Sequence, residues 1–256
     1  MINLFTVMIK IFADIVERVD RMYLLALAVA PSIAILVFIY TKDKYDKEPL
    51  KFLLMLFGLG CLTVIPACIL ELVIQGVAGF DGSLASVFLE AFFGVALIEE
   101  GVKYLVMRIV AGKRCKHFNQ MFDGIVYSVF ISLGFATIEN ILYVLQNGFT
   151  TGVMRALTAV PCHAITAVAM GYYLGIGRFR VDSRDRKKFM ALGLIVPVIL
   201  HGIYDFLVLS GNTILVLICI PFIVFMYIYA FKKIKRLAAY NHMVRDEETG
   251  KITDLS

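Results

Sequence analysis

A set of ionisable side chains lies inside long apolar stretches of the sequence, where charged groups are rare. The set consists of Glu99, Glu100, Lys103, Glu139, His163, His201 and Asp205. Carboxylates and imidazoles transfer protons in general acid and base catalysis, and together they also bind divalent metals. In an apolar helix such groups are costly unless they face one another or a water-filled cavity. We therefore treat these residues as the candidate functional site.

Their spacing predicts local pairs. Glu99 and Glu100 precede Lys103 by four and three residues, so in a helix the ammonium reaches either carboxylate. One lysine for two glutamates leaves one acid free or sharing a proton. His201 and Asp205 are four residues apart and share a helical face. The aspartate can therefore orient one ring nitrogen while the other points at water or a metal.

The elements that must carry these residues are membrane helices. The chain has 256 residues, of which 60% are hydrophobic, and a mean hydropathy of +0.84. Its apolar blocks are continuous and reach the roughly 20 residues that a helix needs to cross a bilayer. We predict an all-α polytopic membrane helix bundle with seven spans, at 22–40, 50–75, 84–110, 122–146, 152–177, 189–209 and 212–231.

Flanking segments and loop charges predict the topology. Residues 1–21 are predicted to form an amphipathic helix at the membrane surface, 22–237 the transmembrane domain, and 238–256 a polar cytoplasmic tail. Loops with several Lys and Arg alternate with loops at 76–83, 147–151 and 210–211 that have none. The positive-inside rule then places the N-terminus outside and the C-terminus in the cytoplasm. The net charge of +5 arises in these loops and does not indicate a nucleic-acid partner.

Spans three to six each contribute to the ionisable set, and all of it lies within about 8–10 Å of the predicted midplane at 1.5 Å per residue. Taken singly, each residue has a structural explanation, such as an ion pair or a hydrogen-bonded core histidine. Glu71, Glu90 and Arg155 are interpreted in that way as structural or interfacial. Gly171 and Gly175 favour close helix packing. The coincidence of acids and imidazoles at one depth on four spans favours a functional site.

Several hydrolytic mechanisms require sequence motifs that this chain lacks. There is no HExxH zinc motif, no GxSG serine motif and no GxGD aspartyl motif. A glutamate general base remains, assisted by histidines that either bind a metal or stabilise an oxyanion.

Four short motifs together resemble the PrsW family of intramembrane proteases. They are Glu99-Glu100-x-x-Lys103, then Phe135, Glu139 and Tyr143, then His163, Gly171 and Gly175, then His201 and Asp205. The resemblance covers about residues 94–209, and YDKEP at 45–49 also looks like the family. It implies a bacterial plasma-membrane endopeptidase, distantly related to CAAX prenyl endopeptidases. It further implies that the substrate is a membrane-anchored anti-sigma factor, which receives its first cut in envelope stress.

The mechanism stays open at this point. Glu100 or Glu99 is the expected general base, and Lys103 holds the other. The cofactor is either none or a divalent metal such as zinc, with ligands drawn from His163, His201, Glu139 and Asp205. Two alternatives to a peptidase are a proton-coupled transporter, although no inverted repeat is evident, and a non-catalytic membrane scaffold. The sequence does not predict an oligomeric state.

Overall fold

The computed structural model describes the backbone of residues 4–43, 47–112 and 115–249, with side chains described between residues 20 and 240 of those ranges. Within them every regular element is helical, which confirms the predicted all-α class. The helices are α1 (Leu4–Lys42), α2 (Leu50–Ala78), α3 (Leu84–Leu89), a π-helical segment (Glu90–Ala96), α4 (Leu97–Val110), α5 (Asp123–Leu157), α6 (Ala159–Arg178), α7 (Ser183–Leu209) and α8 (Thr213–Thr249).

Among the residues that the structure describes, five helical stretches are long and apolar enough to cross a membrane, so the chain is a multi-pass membrane protein. They are Asp20–Lys42, Leu50–Ala78, Asp123–Arg178, Ser183–Leu209 and Thr213–Tyr240. The predicted fourth and fifth spans share the stretch Asp123–Arg178, which bends at Gly148 (φ 79°) and again at Thr158. The predicted third span, 84–110, is not among the five. It is divided between α3, the π segment and α4, and it carries the site's adjacent glutamates and lysine.

The chain ends differ from the predicted segment boundaries. α1 is one helix from Leu4 to Lys42, so the predicted amphipathic segment 1–21 continues directly into the first span. The side chains of residues 1–19 lie outside the described residues, so the amphipathic prediction is not tested. α8 remains helical to Thr249, well into the predicted tail, and residues 250–256 lie outside the described part. Tyr45 and Asp46 of YDKEP also lie outside it.

α5 and α6 form the centre of the bundle. α1 and α2 pack on α5, while α7 packs on α6 and on the π segment. α5 and α6 cross closely at Gly124 and Gly171, where an added β-carbon would collide with the backbone of the facing helix. A β-carbon at Gly175 would collide with the backbone of Met121, just before α5. The predicted packing role of Gly171 and Gly175 is therefore confirmed. This close crossing brings the residues of α5 and α6 to a common centre.

The π segment orients the first turn of α4 toward α7. The Leu97 N–H donates to the Phe92 carbonyl, an i→i+5 bond that shifts the helical face by about one residue. Phe92 packs against Gly202, where a β-carbon would overlap its ring. Glu99 and Glu100 follow the π segment at once, and His201 adjoins Gly202. The missing β-carbon thus lets the acids of α4 approach the imidazole of α7.

Candidate active site

Residues from three helices meet at one buried point. Glu99, Glu100 and Lys103 come from α4, His163 from α6 and His201 from α7, and each is at most 4% exposed. One ligand atom each from the two glutamates and two histidines falls within 4.8 Å of the others. The structure therefore brings together five of the residues that the sequence indicates.

Lys103 occupies the centre of this group. Its Nζ donates to Glu99 Oε2 and Glu100 Oε1, both at 3.0 Å, and lies 3.2 Å from His163 Nδ1. These three acceptors match the three protons of an ammonium. The ring of Phe135 covers the ammonium at 4.1 Å from its centroid. Lys103 therefore pairs with both glutamates at once, where the sequence left open which one it holds.

The contacts of His163 define its tautomer. An ammonium only donates, so Nδ1 facing Lys103 must accept, and the ring proton must sit on Nε2. Nε2 lies 2.8 Å from Glu139 Oε2 and donates to it. The same carboxylate oxygen is 2.9 Å from a terminal nitrogen of Arg155. Arg155, Glu139 and His163 thus form a chain of contacts that fixes the imidazole.

His201 is held by carboxylates on both sides. Its Nδ1 lies 3.0 Å from Glu100 Oε1 and its Nε2 lies 3.3 Å from Asp205 Oδ2. The second contact is close enough for an ion pair but is not aligned as a hydrogen bond. Because both neighbours are acceptors, this ring can donate from both nitrogens. The His201 and His163 rings lie 5.1 Å apart and nearly perpendicular.

The two oxygens of Glu100 differ in their surroundings. Oε1 faces Lys103, His201 and, at 3.4 Å, the Thr166 hydroxyl. Oε2 is buried and has no hydrogen-bond partner among the described residues. An unpaired carboxylate oxygen in a buried site is costly, and a bound water or ion would satisfy it. Glu100 therefore differs from Glu99 in offering a free acceptor inside the cluster.

The residues spaced by four on α5 act as a set. Phe135 lies over Lys103, Glu139 accepts from His163, and the ring of Tyr143 lies 4.0 Å from the Arg155 guanidinium. Each side chain of the FxxxExxxY motif therefore contacts a different charged or imidazole group. The helical period explains this, since residues four apart share a face and descend it one turn at a time.

Two placements differ from the sequence interpretation. Glu139 and Asp205, which the sequence predicts as possible metal ligands, contact the Nε2 atoms of the histidines and lie outside the closest group of donors. Glu99 and Glu100 belong to that group instead. Arg155, which the sequence indicates as structural or interfacial, reaches Glu139 from its position beyond the bend at Gly148. In the sequence, the signal for this contact is the cationic charge of Arg155 in an otherwise uncharged outer segment.

The donor set fits a divalent cation. Two imidazoles and two carboxylates are ligands that catalytic zinc prefers, and all four are buried. The wider site contains four carboxylates against the permanent cations Lys103 and Arg155, which leaves two negative charges when both imidazoles are neutral. A bound divalent ion would balance them. Such an ion and the Lys103 ammonium would share the same partners.

Comparison with known proteins identifies the family of the chain. A family model described as PrsW family intramembrane metalloprotease matches residues 48–231. Protease PrsW of Bacillus subtilis is 38% identical over 220 residues, covering 86% of this chain and 98% of that protein. Protease PrsW of Geobacillus kaustophilus is 43% identical over 187 residues, covering 73% and 80%. Protease PrsW of Clostridioides difficile is 30% identical over 228 residues, covering 88% and 95%.

No solved structure matches the chain. The family match spans helices α2 to α7 and the greater part of α8, and so includes every residue of the buried cluster. The identities extend over most of both chains. The chain therefore belongs to the PrsW family of intramembrane metalloproteases, and it is a peptidase embedded in the membrane.

Proposed function

We propose that this chain hydrolyses a peptide bond of a membrane-anchored protein, with Glu100 as the general base. The observation that carries the assignment is the buried Oε2 of Glu100, which has no partner among the described residues. Its other oxygen is oriented by Lys103 and His201. A base needs an acceptor free for the attacking water and a fixed orientation, and Glu100 has both.

In the proposed reaction a water attacks the carbonyl carbon while its proton passes to Glu100 Oε2. Cleavage of the C–N bond then returns that proton to the leaving amine. His201, which can donate from both nitrogens, can supply a donor to the oxyanion. Alternatively, His163 through its acceptor Nδ1 and a neutral His201 can supply ligands to a metal. Glu139 and Asp205 act by holding these rings, and Lys103 offsets the charge of the acids.

We propose His163, His201 and Glu99 as the residues that hold a divalent metal, with Glu100 left as the base. The support is the proximity of their donor atoms and the excess negative charge of the site. When bound, the metal would supply Lewis-acid activation of water and of the substrate carbonyl.

We propose a seven-span topology in which 84–110 crosses the membrane and Asp123–Arg178 crosses it twice. The support for the additional span is the continuity of α3, the π segment and α4, which are helical without a break. The distribution of Lys and Arg supports an outer N-terminus and a cytoplasmic C-terminus. The N-terminal segment 1–21 is proposed to lie at the surface before α1 enters the bilayer.

This topology has a direct test in a variant without the native cysteines. A cysteine placed at Ser83 should react with a membrane-impermeant maleimide in intact cells. A cysteine placed at Ser183 should react only after the cells are opened. The opposite pattern would invert the orientation, and labelling of both from outside would contradict the odd number of crossings that this topology places between Ser83 and Ser183.

The proposed substrate is a membrane-anchored anti-sigma factor, an assignment that rests on the family resemblance. Purified chain should be reconstituted in proteoliposomes with a single-span anti-sigma factor, and the products should be mapped by mass spectrometry. We expect one defined cut by the wild type and none by Glu100→Gln. Glu90→Gln, the same substitution in the π segment outside the cluster, should cut normally.

The outcome separates the competing functions. Cleavage by Glu100→Gln at the wild-type rate would remove Glu100 from the mechanism. Absence of cleavage together with proton-driven solute uptake by the same proteoliposomes would replace the peptidase by a transporter. Cleavage of other single-span proteins but not of the anti-sigma factor would keep the peptidase and reject the substrate.

A further inference from the structure

A second polar cavity lies away from the active site, where the ends of three membrane helices meet. It measures about 500 Å³ and lies between the end of α4, the end of α6 and the start of α7. Four basic side chains line it: Arg108, Arg178, Arg186 and Lys187. No carboxylate belongs to the described residues that line it.

Arg178 forms a fixed cation at the base of the cavity. Its guanidinium donates to the carbonyls of Phe118, Ala111, Gly112 and Cys115 at 2.9–3.2 Å. These bonds hold the side chain rigidly and satisfy most of its five N–H groups. Because carbonyls are neutral, they leave its positive charge uncompensated. A rigid, preorganised cation is a favourable part of an anion site.

The other three basic residues line the same cavity. Arg108 donates to the Tyr104 hydroxyl at 2.9 Å, and that hydroxyl donates to the Met190 carbonyl at 3.1 Å, which ties α4 to α7. Arg186 and Lys187 come from the first turns of α7. The four side chains form no ion pair with a carboxylate of the described chain. Four like charges around one cavity repel each other, so an anion bound there would be stabilised.

The remaining wall is apolar and includes Met107, Leu174 and Met190. α4 and α6 end here and α7 begins here. In the proposed topology these are the cytoplasmic ends of membrane helices, which places the cavity at the level of the lipid headgroups. A free phosphate would satisfy the basic residues but leave the apolar wall in contact with water. A phospholipid carries a phosphodiester and an acyl chain in the same molecule, so it matches both parts of the lining.

From this arrangement we propose that the cavity binds the phosphodiester headgroup of an anionic phospholipid, with an acyl chain against its apolar wall. Its volume is within the range of pockets that enclose small organic ligands, about 300–1,000 Å³. The site is separate from the catalytic cluster and does not require the proposed peptidase mechanism. Bound lipid would connect α4, which carries the acids, to α7, which carries His201.

The test uses the full chain purified in detergent and measured by native mass spectrometry. The probes are dioleoylphosphatidylglycerol, dioleoylphosphatidylcholine of the same acyl composition, inorganic phosphate, and glycerophosphoglycerol, which has the headgroup without the tails. We expect one retained phosphatidylglycerol, bound at least tenfold more tightly than phosphatidylcholine. Inorganic phosphate and the tail-free headgroup should bind much more weakly.

The chain offers a matched pair of variants for this cavity. Arg186→Gln with Lys187→Gln removes two charges that line it, whereas Arg184→Gln with Lys188→Gln removes two exposed charges from the same helical turns. Each basic residue near a membrane surface strengthens the binding of an anionic lipid by roughly fivefold. The first pair should therefore lose about 25-fold in affinity for phosphatidylglycerol, and the second should lose little.

Thermal unfolding without lipid checks that both double variants are folded, since all four side chains lie at the surface or the rim. Equal loss of lipid by the two pairs would assign binding to general surface charge and overturn the site. Equal binding of phosphatidylcholine would exclude recognition of the anionic headgroup. Binding of inorganic phosphate as tight as that of phosphatidylglycerol would replace the lipid by a free anion.

Discussion

Removal of the Lys103 ammonium tests the electrostatic account of the site most directly. Lys103 is 1% exposed and pairs at 3.0 Å with two carboxylates whose side chains are 6% and 0% exposed. Lys103→Met keeps the length of the side chain but leaves two adjacent buried anions without their shared cation. Breaking a buried ion pair by removing one partner costs about 3–5 kcal/mol, so we expect at least that loss of unfolding free energy.

Neutralising Glu99 and Glu100 as well should rescue the stability lost in Lys103→Met. If the cost arises from uncompensated carboxylates, neutralising them should restore most of the stability. The triple variant Lys103→Met, Glu99→Gln, Glu100→Gln has no charge left in the pair, and replacing a whole buried ion pair is often close to neutral. We expect its unfolding free energy to lie within about 1–2 kcal/mol of the wild type. It should nevertheless be inactive, because the proposed general base is gone.

The measurement is reversible unfolding by sodium dodecyl sulfate in mixed micelles, on chelator-treated protein so that no metal replaces the ammonium. Lys51→Met serves as the control, because Lys51 is exposed at the start of α2. A change below about 1 kcal/mol in Lys103→Met would refute a charge-compensating role for this lysine. A triple variant no more stable than Lys103→Met would show that the loss comes from packing.

Three further predictions concern the contact of Glu139 with His163, the metal, and the close crossing of α5 with α6. Because the Glu139 carboxylate orients His163, Glu139→Gln should slow cleavage by about 10–100-fold with an unchanged unfolding midpoint. Glu139→Asp keeps the carboxylate and should recover part of the rate. An unchanged cleavage rate in Glu139→Gln would contradict this role. Removal of divalent metals should abolish cleavage, and elemental analysis should show that about one bound ion per chain has been lost. Full activity in a metal-free sample would instead support a glutamate mechanism without metal. Gly171→Ala should lower the unfolding free energy by about 1–3 kcal/mol because its β-carbon meets the Gly124 backbone. Gly58→Ala is the control, because its β-carbon meets nothing within 4 Å and should not lower the unfolding free energy. Equal stability of the two variants would refute the close crossing.

The sequence predicted residues that form the buried cluster because their local relations follow from helical periodicity. Glu99, Glu100 and Lys103 pair within one turn of α4, as their spacing of four and three requires. The helical class followed from the length of the apolar blocks, and the family from four motifs in order. The predicted third span is not among the candidate spans of the described residues, because its charged residues lower its hydropathy and the π segment divides it.

The tertiary structure alone decided how the parts face one another. The contact between Glu100 and His201 joins residues 101 positions apart, and that between His163 and Glu139 joins residues 24 apart. No local spacing specifies such distances, since they depend on the glycine crossing of α5 with α6 and on Phe92 against Gly202. For the same reason the sequence did not show which oxygen of Glu100 is left unpaired, that Glu139 and Asp205 lie behind the histidines, or that Arg155 turns inward. The residue types and their helical period set the chemistry available, and the packing of distant helices determined which atoms can carry it out.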